Sequence, residues 1–131
     1  MEIQFIDHFT LSVRPHELAT LRTFYTETFG LKEGKRPDFG FPGHWLYLGA
    51  RPVVHLAANL PEDAVVPDGV MATGKFNHVS FRAKDVAGTR KRLTGLGVKF
   101  REAPVPGFPL HQIFVHDPMG LMIELTFDMP E

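Results

Sequence analysis

Two periodicities take turns along this chain. Over residues 4–13 the pattern has period two: Phe5, Phe9, Leu11 and Val13 share one parity, with Asp7 the exception, while Ile6, His8, Thr10 and Ser12 share the other. That alternation predicts a strand with one apolar face and one mostly polar face. Over 15–29 the spacing becomes helical, with Leu18, Leu21, Tyr25 and Phe29 on one side, Pro15 near the start and Gly30 just past the end. Strands are then expected near 31–36, 44–49 and 52–58, separated by the turn-forming stretches PDFGFPG and GARP. Residues 59–74, NLPEDAVVPDGVMATG, have no clean period and two prolines, and read as a linker. After it the order returns: a strand at 76–84, a helix opened by Asp85 as N-cap and closed near Gly97, and strands near 98–103, 110–116 and 121–127 with VPGFP and DPMG as turns.

The chain therefore spells βαβββ twice, as module one (1–58), a linker (59–74) and module two (75–131) of a single domain spanning 1–131. FNHVSFRAKD echoes IDHFTLSVRP, and His8 and His78 stand 70 positions apart. Laying WLYLGARPVVH on FVHDPMGLMIE puts His55 on Glu124 at an offset of 69, with Trp45 on Phe114, Leu46 on Val115 and Tyr47 on His116. A period this long signals a duplicated module rather than a solenoid. The expected fold class is α+β: two tandem βαβββ modules whose curled mixed sheets carry helices on their apolar faces.

Parity also sorts the chemistry. Val79, Phe81 and Ala83 oppose His78, Ser80 and Arg82; Leu121, Ile123, Leu125 and Phe127 oppose Met122, Glu124 and Thr126; Val54 and Leu56 oppose Val53, His55 and Ala57. If helices cover the apolar faces, the other faces carry His8, His55, His78 and Glu124, one from each of four strands. Thr10, Ser12, Ala57, Ser80 and Thr126 are small enough to leave room around them. Three imidazoles and a carboxylate suit a divalent cation (Zn, Fe, Mn, Co or Ni), and a cation offsets the cost of burying a glutamate on a central strand. The pattern thus predicts a metal-containing cleft with His8, His78, Glu124 and His55 as metal ligands. His55 or His116 would move protons, and Trp45, Tyr47, Arg82 and Phe114 would line the substrate pocket. His16, His44 and His111 fall outside the pattern and read as structural.

Composition removes other classes. Fourteen basic against fifteen acidic residues give a net charge of −1 and no basic run, which argues against nucleic acid as a partner. The absence of cysteine excludes disulfides, thiolate metal sites and cysteine nucleophiles. No apolar run approaches the ~20 residues of a membrane span, and the first residues lack a signal-peptide pattern, so a soluble cytoplasmic protein is expected. Neither GxSxG nor GxGxxG occurs.

The paired modules, DHFTLSV with FYTETFGL, NHVSFRAKD and the closing DPMGLMIEL resemble the vicinal-oxygen-chelate superfamily, the glyoxalase, bleomycin-resistance and extradiol-dioxygenase group. The resemblance covers all but the linker. It implies a divalent metal bound by the first and last strands of the modules, with His8 and His78 at the first-strand positions and Glu124 at the last. It also implies a small-molecule substrate that chelates the metal through oxygen, and a homodimer. Glyoxalase I-like members have a glutamate where this chain has His55, which argues against lactoylglutathione lyase activity. With His55 outside the coordination sphere, His8, His78 and Glu124 would form a two-histidine, one-carboxylate triad of the Fe(II) oxygenase type. Ring-cleaving members have a tyrosine where this chain has Phe114. The resemblance thus leaves a dioxygenase-like or lyase/isomerase-like enzyme, with a non-catalytic drug-sequestering protein as the alternative.

Overall fold

A computed structural model describes residues 1–67 and 73–131; the part of the expected linker at 68–72 lies outside the described residues. The chain divides into two compact units, Met1–Val65 and Val66–Glu131. Each is a four-stranded mixed sheet with one α-helix, and the two share one topology.

In the first unit the order is β1 (Phe9–Ser12), a 3₁₀ turn (Pro15–Glu17), α1 (Leu18–Phe29), β2 (Lys32–Gly34), β3 (Gly43–Leu48) and β4 (Arg51–Ala57). The spatial order is β1-β4-β3-β2, with β1 and β4 parallel and the other pairs antiparallel. The helix starts at a doubly held arginine–glutamate pair. Glu17 Oε1 accepts from the Arg14 backbone N–H at 3.0 Å and from Arg14 Nε at 2.7 Å, while Oε2 accepts from Nη2 at 3.1 Å. The helix ends where Gly30 turns left-handed at φ 71°, a conformation glycine adopts without Cβ strain. Leu21 and Tyr25 of α1, Leu46 of β3 and Val54 of β4 are fully buried. The helix packs on β3 and β4, so the apolar parity does face the helix.

In the second unit the order is β5 (His78–Ala83), α2 (Val86–Gly95), β6 (Arg101–Pro104), β7 (Leu110–His116) and β8 (Met122–Asp128), arranged β5-β8-β7-β6. Asp85 caps α2 from a left-handed conformation (φ 67°), its Oδ1 accepting from Gly88 N at 2.8 Å. The Glu131 carboxylate reaches the same helix start, accepting from Val86 N at 2.7 Å and from Asp85 N. Ile113, Val115, Ile123 and Phe127 are fully buried and form the apolar side of this sheet. DPMG is a turn held by its own acid: buried Asp117 accepts through Oδ1 from Met119 N at 2.8 Å and Leu121 N at 3.0 Å.

The expected elements are all present, with shifted ends. The first strand begins at Phe9 rather than residue 4, because Asp7 breaks the alternation and residues 1–8 are exposed. The helix expected over 15–29 opens with a 3₁₀ turn. The strand expected at 98–103 forms at Arg101–Pro104.

Candidate functional site

Strand register tests the parity reading directly. In the second sheet Glu124 lies opposite Ser80 on one side and Phe114 on the other; Met122 lies between His78 and His116, and Thr126 between Arg82 and Gln112. All share one face, away from buried Ile123 and Leu125. In the first sheet His55 lies between Thr10 and Trp45, and Ala57 between Ser12 and Gly43.

Glu124 is heavily dressed. It is buried at 8% exposure, and its Oε1 accepts from Ser80 Oγ at 2.8 Å, Gln112 Nε2 at 2.9 Å and Thr126 Oγ1 at 2.8 Å. Three donors saturate that oxygen and leave Oε2 as the remaining acceptor, 3.2 Å from His78 Nε2. The other imidazole nitrogen of His78, Nδ1, donates to Asn77 Oδ1 at 2.7 Å, which leaves the Nε2 lone pair available. Two donors bound to one cation at ~2.1 Å, at angles of 90–110°, stand roughly 3.0–3.4 Å apart, so this pair fits a divalent ion. Fixing the far atom of each ligand with a hydrogen bond is how metal ligands are commonly oriented.

The first unit arranges its candidates differently. His8 Nδ1 donates to Asp7 Oδ2 at 2.7 Å, leaving Nε2 free as in His78. This contact holds the Asp7 carboxyl below its usual range. His55 stacks on His8 with ring centroids 3.8 Å apart and planes 13° apart, and on its far side stacks on Trp45 at 4.1 Å and 11°. Its Nε2 donates to the Pro52 carbonyl at 3.0 Å. Burial, then the neighbouring His8, push the His55 imidazole below its ordinary pKa and favour its neutral form. A cation lies in the plane of each imidazole that binds it, and two nearly parallel stacked rings offer no shared in-plane point. Among the described residues the donors gather as these two pairs, and no group of three or more His, Asp or Glu side chains is assembled around a point.

The remaining candidates fall out as follows. Trp45 lines a cavity of about 200 Å³ with Thr10, Arg36, Phe39, Phe41 and His55. Tyr47 is re-aimed by a bulge between Leu46 and Tyr47 that sets it opposite Pro52, so it is not the register equivalent of His116; its hydroxyl donates to the Lys35 carbonyl at 2.6 Å. Arg82 pairs with Asp128 at 3.1 Å in an exposed position. Phe114 carries the Arg101 guanidinium 4.0 Å from its ring centroid. His116 is exposed at the end of β7. His16, His44 and His111 each pair with a glutamate: Glu62, Glu33 and Glu102. Sequence reasoning missed Gln112 and Arg36. Gln112 shares parity with Phe114 and His116, so alternation alone would have placed it beside Glu124.

Comparison with known proteins adds four relationships. Glyoxylase I 4 of Arabidopsis thaliana is 33% identical over 105 residues, covering 78% of this chain and 59% of that protein, so the chain spans under two-thirds of this relative's length. The structure of a glyoxalase family protein from Bacillus anthracis superposes with a TM-score of 0.75 at 24% identity, covering 98% of both chains. A variant of the fosfomycin resistance protein FosX from Listeria monocytogenes, complexed with Mn(II) and dihydroxypropylphosphonic acid, superposes with a TM-score of 0.72 at 18% identity, covering 98% of this chain and 95% of that one. These structural likenesses concern the fold. The sequence profile of the Glyoxalase/Bleomycin resistance protein/Dioxygenase superfamily matches residues 5–125, and the chain belongs to that superfamily.

Proposed function

We propose that the protein is a divalent-metal-dependent enzyme acting on a small substrate that chelates the metal through oxygen atoms. The observation that carries this reading is the Glu124–His78 pair: one oxygen saturated by three donors, one imidazole nitrogen fixed by Asn77, and the two remaining donor atoms 3.2 Å apart. A carboxylate oxygen and an imidazole nitrogen at this spacing are placed to share a proton or a cation. His8, dressed by Asp7 as His78 is by Asn77, is likewise proposed as a metal ligand. The Mn(II) held by the FosX relative supports a divalent ion, with Fe, Mn, Zn, Ni and Co all compatible with the donor set. When bound, the ion supplies Lewis-acid stabilisation of negative charge developing on a substrate oxygen.

The protein's own groups take the remaining roles. His55 is proposed as a proton-transfer residue rather than a ligand beside His8: its Nε2–H is held by the Pro52 carbonyl, and its Nδ1 carries the lone pair. His116, exposed on the Glu124 face, is a second candidate for proton movement, and Trp45, Tyr47, Arg82 and Phe114 remain proposed pocket residues. The reaction is dioxygenase-like or lyase/isomerase-like, carried out by a cytoplasmic homodimer; among the described residues no helix is long and apolar enough to cross a membrane. The alternative, a binder that sequesters small molecules without turnover, is favoured by the aromatic cavity at Trp45.

Metal analysis separates the two. The enzyme reading expects a stoichiometric transition metal in protein purified without chelator, together with oxygen uptake on a catechol panel or loss of a methylglyoxal–glutathione hemithioacetal. Protein that neither carries nor takes up a divalent metal sinks it.

A further inference from the structure

We infer that the cavity in the first unit recognises a planar group bearing a carboxylate, with the Arg36 guanidinium as its anion-binding end. The inference rests on the reading of this protein as one that binds a small molecule. Arg14, Arg22, Arg82 and Arg90 each have a carboxylate partner. Half-buried Arg36 has none among the described residues. Among the described residues its one hydrogen bond runs from Nη2 to the Phe41 carbonyl at 3.1 Å, which leaves several of its five N–H groups for other acceptors. The guanidinium carbon lies 5.1 Å from the ring centroids of both Phe39 and Phe41. Aromatic faces hold the cation in place without neutralising it, so its charge stays available to an anion.

The rest of the cavity is built for a flat group. His55 and Trp45 lie parallel at 4.1 Å, and Phe39 meets Trp45 at 6.2 Å, so aromatic surface lines the cavity that Arg36 enters. The cavity measures about 200 Å³. A cavity of about 150 Å³ is known to hold benzene, so one ring with one carboxylate fits here. Sequence keeps the space for Arg36 open: a Cβ at Gly43 would come within 2.4 Å of the Leu56 carbonyl oxygen and 2.7 Å of Arg36 Nη2. The second unit has Gln112 at the register-equivalent position, opposite Thr126 as Gly43 is opposite Ala57. The anion-binding device is thus peculiar to the first unit.

Trp45 is the only tryptophan, so intrinsic fluorescence reads this cavity directly. The full chain, stripped of metal with chelator, is titrated with benzoate, benzamide and acetate. Benzoate is expected to change the emission saturably, with benzamide and acetate each about tenfold weaker or more, since one lacks the charge and the other the ring. Arg36→Met should bring benzoate down to the benzamide level, and Arg36→Lys should retain part of the preference. Equal affinity for benzoate and benzamide, no saturable response to benzoate, or undiminished benzoate binding by a folded Arg36→Met would each overturn the inference. The wild-type comparison decides the matter even if the variants fail to fold. Because no metal is present, the outcome is independent of whether the protein proves to be a metalloenzyme.

Discussion

The two units share one strand order and, away from the bulge at Leu46 and Tyr47, one register, yet they treat the same pair of positions in opposite ways. In the second unit the central strand carries Glu124, and three cross-strand neighbours, Ser80, Gln112 and Thr126, donate to it. In the first unit the matching strand carries His55, and the matching neighbours are Thr10, Gly43 and Ala57. Two of the three donors are gone. A carboxylate there would be half-buried with little to satisfy it, whereas a neutral imidazole needs one partner and finds it in the Pro52 carbonyl. The space released by Gly43 and Ala57 becomes the aromatic cavity with Arg36. Duplication supplied two equal frames, and the side chains around one position turned one frame into an anion stabilised for a cation and the other into a flat-walled cavity with its own fixed cation.

The largest expected effect tests the cation half of that contrast. Glu124→Ala should lower Mn(II) affinity by more than ~100-fold, because even the loss of an orienting partner costs ~10–100-fold. His55→Ala should leave metal stoichiometry unchanged. Titration calorimetry and elemental analysis of dialysed protein read both. If the two variants lose metal equally, His55 is a ligand and the proposed division of labour between the units fails. Gln112→Ala, which removes one of the three donors on Oε1, should fall between them.

A smaller effect tests why the first unit cannot hold a carboxylate. His55→Glu should cost about 2–3 kcal/mol in urea unfolding, the penalty for a half-buried charge that keeps one of three donors. Adding Ala57→Thr restores a hydroxyl where Thr126 stands in the second unit and should recover part of the loss. A stable His55→Glu single variant would mean that the cross-strand donors do not decide which residue the position accepts.

The helix starts contrast as well. The first unit relies on Glu17, buried at 6% exposure and forked by Arg14. The Arg14 hydrogen bonds hold its carboxyl below its ordinary value near 4.5. A lowered folded-state pKa gives stability that is complete above the unfolded value and drains away as pH falls through the folded one. Glu17→Gln should therefore cost about 1–2 kcal/mol at neutral pH and progressively less below pH ~4. Parallel acid-limb profiles for the two proteins would exclude Glu17 as the source.

Much of this was legible before the structure. Alternation at 52–58 and 121–127 put His55 and Glu124 on the faces where register now has them, because one apolar face leaves a strand only one orientation. Alternation did not reveal the bulge at Leu46 and Tyr47, which depends on local hydrogen bonding and turned Tyr47 toward Lys35. Arg36 was hidden for another reason: it precedes an aperiodic loop, where no pattern gives direction, and only the cluster of Phe39, Phe41 and Trp45 around a lone arginine hinted at it. Ser80 and Thr126 were read as small residues leaving room. Composition cannot tell a spacer from a donor, and the distances to Glu124 Oε1 make them donors.

The smallest effect lies within α2, where two glycines in one helix should respond with opposite sign. A Cβ at Gly88 would lie 2.1 Å from Asp85 Oδ2, whereas one at Gly95 meets nothing within 4 Å. Gly88→Ala must push aside the carboxylate whose other oxygen accepts the Gly88 N–H, and loss of a cap costs about 1 kcal/mol. Gly95→Ala keeps the helix open to solvent while reducing the freedom of the unfolded chain, a gain of about 0.4–1 kcal/mol. Thermal unfolding of the pair should therefore straddle the wild type, with Gly88→Ala below it and Gly95→Ala above. If both alanines raise the midpoint, the Asp85 cap contributes little and the Glu131 carboxylate on Val86 N holds the helix start by itself.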